Sequence, residues 1–138
     1  MKKIVVASDS FKGSVSSIEV AECAKLAIHK VFPDCEVVKI PVGDGGEGTV
    51  ETLITAMGGE VVSCVVHDPL MRSVEATYGI LGDNRTAVIE MATASGLTLV
   101  PVSERNPLRT TTYGTGELIK DAMDRGCRDF LIGIGGSA

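Results

Sequence analysis

The stretch EVVKIPVGDGGEGTVETLITAMGG, residues 36–59, holds the reading on which the fold turns. It opens with Glu36 to Val42, a mostly apolar run that reads as a strand. A turn follows in which Gly43, Gly45, Gly46 and Gly48 are interleaved with two carboxylates, Asp44 and Glu47. Val50, Leu53, Ile54 and Met57 then recur at helical spacing until Gly58-Gly59 closes the segment. Strand, glycine turn and helix in that order belong to a parallel sheet with crossover helices.

The same grammar precedes this stretch. Ile4 to Ala7 is a short apolar run of the kind buried on both faces of a sheet. After a loop from Ser8 to Val15, Ser16-Ser17-Ile18-Glu19 forms a capping box. Ile18, Ala21, Ile28 and Phe32 give the ensuing helix its apolar stripe, and Pro33-Asp34 ends it. Beyond Gly59 the pattern changes. Glu60 to Val66, Val74 to Leu81 and Arg85 to Met91 read as strands with no helix between them, the last two joined by a turn at Gly82-Asp83-Asn84.

Pro101 to Pro107 is polar and kinked, as a hinge would be. Leu118, Ile119, Ala122 and Met123 mark a third helix ending at Gly126, and Asp129 to Ile134 returns to a buried-strand pattern. The expected architecture is therefore α/β: a mostly parallel, Rossmann-like, three-layer sheet with crossover helices plus a β-rich inserted lobe. Residues 1–59 begin the α/β lobe, 60–102 form the β-rich insertion, and 103–138 return to an α/β lobe that is cut short.

Composition narrows the function. Thirteen basic and 18 acidic residues give a formal net charge of -5, so no basic stripe is available to neutralise a nucleic-acid backbone. No polybasic run suits a membrane surface. The amino-terminal MKKIVVASDS lacks the long apolar run of a signal peptide or membrane span, which makes the cytoplasm the expected location. Cys23, Cys35, Cys64 and Cys127 are scattered without a C-x-x-C pair and read as reduced thiols, Cys23 packed on its helix. These features point to a protein that handles small molecules.

The glycine turn satisfies G-x-G-x-x-G from Gly43 to Gly48, with Asp68 lying 20 residues further on. That is the outline of a dinucleotide-binding fingerprint and leaves an oxidoreductase as an alternative function. Its chemistry argues otherwise, because Asp44 and Glu47 beside the helix start would repel a pyrophosphate. A P-loop fails outright, since Thr49 stands where lysine is required. Carboxylates in such a turn suit a hard divalent cation or the removal of a proton from an attacking hydroxyl. They also suit plain turn and helix-start roles.

In open α/β sheets ligands bind outside the carboxyl ends of the strands, so the loop Asp9-Ser10-Phe11-Lys12-Gly13-Ser14 is expected to face the same crevice. There Lys12 would meet phosphate, Asp9 a metal or a hydroxyl, and Phe11 would serve as an anchor. Glu90 interrupts an apolar strand and needs a partner if buried, unless it faces outward from an edge strand. Thr110 to Gly116 offers hydroxyls and amides ahead of a helix, fit for a phosphate or a carboxylate or for simple capping. Arg105 and Arg109 nearby suit an acid clamp. His29 falls on an exposed helix face and His67 has no sequence partner resembling a base or an orienter, so neither is assigned to catalysis.

Six segments occur in order along the chain: SDSFKGSVSSIEVA, PVGDGGEGTVE, HDPLMRSVEA, IEMATASGLTLV, NPLRTTTYGTGELI and GIGGSA. Together they resemble the ATP-dependent glycerate kinase family, its bacterial type-1 group. The resemblance implies phosphorylation of D-glycerate by ATP with Mg²⁺ in the cleft of a two-lobed α/β protein. It leaves the oligomeric state open. Two departures stand out. Val42-Gly43 replace the Met- or Leu-Ala that usually precedes Asp-Gly-Gly, and the chain stops inside the last motif, where the family continues through Thr-Asn-Asp-Gly-Gly. The chain alone is accordingly expected to be a non-catalytic fragment of that enzyme. In this light Asp44 is the candidate base or Mg²⁺ ligand, Asp9 a supporting residue and Lys12 a phosphate partner. Ser10, Gly45, Gly46, Glu47, Thr111, Thr112, Gly135, Gly136 and Ser137 are candidate substrate and nucleotide contacts.

Overall fold

A computed structural model describes residues 2–11 and 14–138. The chain divides into two compact units, residues 1–44 and 45–138. In the first, β1 (Lys3–Ser8) and β2 (Glu36–Pro41) pair in parallel, from Lys3 opposite Glu36 to Ser8 opposite Pro41. The crossover between them is α1 (Ser17–Val31). Its capping box forms as the sequence predicts: Ser16 Oγ accepts the Glu19 amide at 3.2 Å, and Glu19 accepts the Ser16 amide at 2.9 Å. The apolar run of β1 is not buried on both faces, because its residues alternate and Val5 is 54% exposed. Cys23 is exposed on α1 rather than packed, and the Phe11 side chain is exposed, so it anchors nothing in this unit.

The second unit is a four-stranded sheet in the order β3-β4-β5-β6, with β3 at Gly59–His67, β4 at Ser73–Leu81, β5 at Thr86–Glu90 and β6 at Asp129–Gly133. β3 and β4 pair antiparallel, as do β4 and β5, while β5 and β6 are parallel. Asp83 fixes the β4–β5 turn by accepting the Arg85 and Thr86 amides, each at 2.9 Å.

Three layers result. Alternation in β4 puts Ala76, Tyr78 and Ile80 into a core shared with Leu118 and Ala122 of α4 (Tyr113–Asp124) and with Ala94 of the single-turn α3 (Ala92–Ser95). On the other face Leu81 and Val88 meet Val50, Leu53 and Ile54 of α2 (Thr49–Met57). Tyr78, fully buried, donates its hydroxyl to Asp121 at 2.7 Å, which satisfies the one polar atom that this core would otherwise strand. The boundaries drawn at 59/60 and 102/103 follow changes of sequence pattern, whereas the packing runs across them. β6 from the third segment pairs with β5 from the second, and α2 from the first covers their sheet.

Candidate functional site

Because β3, β5 and β6 run in one direction, their carboxyl ends lie at one edge of the sheet. That edge collects His67 from β3, Glu90 from β5 and Gly133 from β6, and it is where open α/β sheets take their ligands. Two of the sequence-predicted glycine segments meet here. The Gly135 amide donates to the Gly45 carbonyl at 3.1 Å. A Cβ at Gly133 would stand 2.3 Å from the Gly45 oxygen, and one at Gly135 would stand 2.8 Å from Gly46 Cα. Glycine is required at both positions by the closeness of backbone to backbone.

The other side of the Gly133–Ser137 segment is tied to the chain after β5. Met91 donates its amide to the Gly133 carbonyl at 2.9 Å, Leu97 donates to Gly136 at 2.9 Å, and Ser137 bridges Gly96. So Gly45, Gly46, Gly135, Gly136 and Ser137 are brought together, with Gly136 and Ser137 exposed at the surface.

Glu90 ends β5 beside this junction and is 7% exposed. Its partner is the start of α2: the Val50 amide donates to Glu90 Oε1 at 2.8 Å, and the amides of Thr49 and Gly48 add to it. β5 is an interior strand, so the edge-strand reading of Glu90 gives way to the buried, partnered one. Burial raises its carboxyl above the ordinary value, against the pull of these amides, and the nearby charge of Glu47 pushes the same way. Glu47 itself is exposed.

In the first unit, the register from Ser8 opposite Pro41 sends the loops after β1 and β2 out at the same end of a parallel pair. Asp9 and Ser10 lie on one loop and Asp44 on the other. Asp9 Oδ1 accepts the Ser10 amide at 2.7 Å, and Asp44 is exposed. Lys12 lies outside the described residues. Mg²⁺ takes one or two carboxylates and otherwise water and phosphate oxygens. Among the described residues no group of three or more His, Cys, Asp or Glu side chains could hold a metal by itself.

Thr111 and Thr112 sit where β3 ends. The Thr111 amide donates to the Pro69 carbonyl at 3.1 Å, and Thr111 Oγ1 accepts the Tyr113 amide at 3.2 Å. Thr112 is the N-cap of α4 without a side-chain bond to it, and Thr115 is occupied elsewhere, hydroxyl to hydroxyl with Ser95 at 2.7 Å. Capping by either residue is thus not their role. Arg105 donates Nε to the Val100 carbonyl at 3.3 Å.

His67 corrects the sequence reading. It has an orienting partner in Glu117, 50 residues away, whose carboxylate accepts the His67 amide at 2.8 Å and meets Nδ1 at 3.0 Å. The turn after it also speaks against the dinucleotide fingerprint: Asp68 is buried and accepts the Leu70 and Arg72 amides of its own loop, each at 2.8 Å. A ribose-binding acid would need that carboxylate free.

A model of the glycerate kinase family matches residues 4–138. The chain is 56% identical over 136 residues to a glycerate kinase of Bacillus subtilis and 54% identical over 136 residues to one of Haemophilus influenzae. It is 52% identical to a protein of Escherichia coli named glycerate 2-kinase. A solved crystal structure from Salmonella typhimurium LT2, provisionally designated glycerate kinase 2, superposes with a TM-score of 0.85 at 50% identity. Each of these matches takes in 99% of this chain, which spans only 36% of the length of the relative.

Proposed function

Since the chain belongs to the glycerate kinase family, we propose that the protein carrying it transfers the terminal phosphoryl group of ATP to a hydroxyl of D-glycerate, with Mg²⁺. The observation that supports this most directly is the junction of the Gly45–Gly46 and Gly133–Ser137 segments at the carboxyl edge of the sheet. A backbone without side chains lets the oxygens of a transferred phosphoryl group approach amides closely.

Phosphoryl transfer asks little covalent chemistry of the protein and much positioning and charge stabilisation. Gly136 and Ser137 would supply amides and a hydroxyl to phosphate, with Gly135, whose amide is held by the Gly45 carbonyl, and Gly46 fixing their conformation. Thr111 and Thr112 would hold a phosphate or a carboxylate. Asp44 would accept the proton of the attacking hydroxyl or hold the metal, Glu47 would contact the substrate or its metal, and Asp9 and Ser10 would support them. Lys12 would offset phosphate charge. Mg²⁺, when bound, supplies positive charge to the phosphate oxygens.

The test is ADP release by the complete enzyme with ATP, D-glycerate and Mg²⁺. Glycerate-dependent ADP formation that disappears on chelation is expected. A folded complete protein that forms no ADP under these conditions would overturn this reading.

A further inference from the structure

The start of α2 is a nine-residue helix's amino terminus behind a glycine turn, the arrangement that elsewhere receives phosphate. Its N-cap, Gly48, has no side chain to offer the helix. The anion these amides call for is present all the same, and it comes from the sheet: the buried Glu90 carboxylate accepts from Val50 and is engaged by Thr49 and Gly48.

We infer that Glu90 is a positioning and specificity-determining residue, a built-in anion that closes the α2 amino terminus to phosphate and leaves the facing Gly133–Ser137 segment as the phosphate receiver. The geometry supports both halves. On the α2 side, a second anion would have to enter beside a desolvated carboxylate, where like charges repel strongly. On the other side, Gly136 and Ser137 are exposed, and their segment is held in place by Gly45, whose turn leads directly into the α2 residues that Glu90 grips. Gly45 in turn donates its amide to Thr49 Oγ1 at 3.2 Å, so the carboxylate, helix start and glycine turn form one connected unit. The net negative charge of the 43–48 turn is then consistent with its task, since the turn shapes the phosphate site without being it.

This inference rests on the phosphotransferase reading for what is bound, and its test does not use turnover. Inorganic pyrophosphate is titrated calorimetrically into the intact protein and into Glu90→Ala, Glu90→Gln and Glu90→Asp. Freeing the α2 amides in Glu90→Ala is expected to tighten pyrophosphate binding about tenfold or to add one equivalent, the scale of a helix-terminus effect. Glu90→Gln, which keeps the shape and loses the charge, is expected to tighten it by about threefold. Glu90→Asp, which keeps the charge, should stay within about twofold of wild type. A residue that acts only as a structural cap would weaken folding without any gain in pyrophosphate affinity. Should Glu90→Ala not fold, Glu90→Gln decides. Folded variants that bind pyrophosphate no better than wild type overturn the inference. Glycerate-dependent ADP formation by the wild type, measured in the same preparation, reports on the kinase reading separately.

Discussion

Asp44 follows β2 and Glu90 ends β5, and the surroundings of the two carboxylates separate them. Asp44 is exposed in a glycine turn, while Glu90 is buried against a helix start. Asp44→Asn in the complete enzyme should lower kcat by roughly 10²–10⁴ if the carboxylate takes the hydroxyl proton. If it chiefly holds metal, the deficit should shrink as Mg²⁺ or Mn²⁺ is raised; activity within about twofold of wild type in all conditions removes Asp44 from the site. For Glu90 the sign of the pH effect follows from burial. A carboxyl raised in the folded state contributes stability that is complete below its ordinary value of 4.5 and is lost as pH climbs through the raised value. The melting temperature of Glu90→Gln relative to wild type should therefore rise as pH climbs above 4.5 and level off once pH has passed the raised value. A difference that stays flat across that range would contradict the buried, raised carboxyl. Gly135→Ala tests the close approach: with Gly46 Cα 2.8 Å from the new Cβ, a cost of about 1–3 kcal/mol is expected in denaturant melts, and none would mean that the two loops part easily.

Among the elements, legibility depends on how far apart in sequence the partners are. The α1 start was readable because Ser16 and Glu19 satisfy one another three residues apart. The anion at the α2 start was not, since that carboxylate comes from a strand 40 residues on. The His67–Glu117 pair, 50 residues apart, was missed for the same reason. A sign of it existed in the glutamate one turn inside α4, but nothing local says which strand end that glutamate meets. Burial patterns carried only in part: the α4 stripe is buried at Leu118 and Ala122, whereas the run read as a buried strand at β6 leaves Leu131 and Ile132 exposed. Leu118, fully buried where α4 meets the sheet, should cost about 2–5 kcal/mol when replaced by alanine, read as a fall in denaturation midpoint at constant slope. A loss under about 1 kcal/mol would mean that α4 packs more loosely than its burial indicates.

For the whole molecule, β6 ends the sheet order with Leu131 47%, Ile132 44% and Ile134 73% exposed. Such an edge invites another strand. The 138-residue polypeptide by itself is expected to self-associate in light scattering and to release no glycerate-dependent ADP in a coupled assay beside a full-length relative. A monomer turning over at a tenth of the relative's rate would show that these residues suffice for the site. What the sequence determined unaided was the alternation of strands and helices, their ends, the family and the glycine segments, because periodicity, caps and turn chemistry act between residues a few positions apart. Tertiary structure alone decided that β6 joins the β-rich strands, that α2 and α4 sandwich them, that the Gly45 and Gly135 turns touch, and that Glu90 supplies α2's anion. Those are pairings between distant segments, selected by the joint burial of apolar faces and by the need of every buried polar group for a partner, and no local pattern encodes which segment that partner comes from.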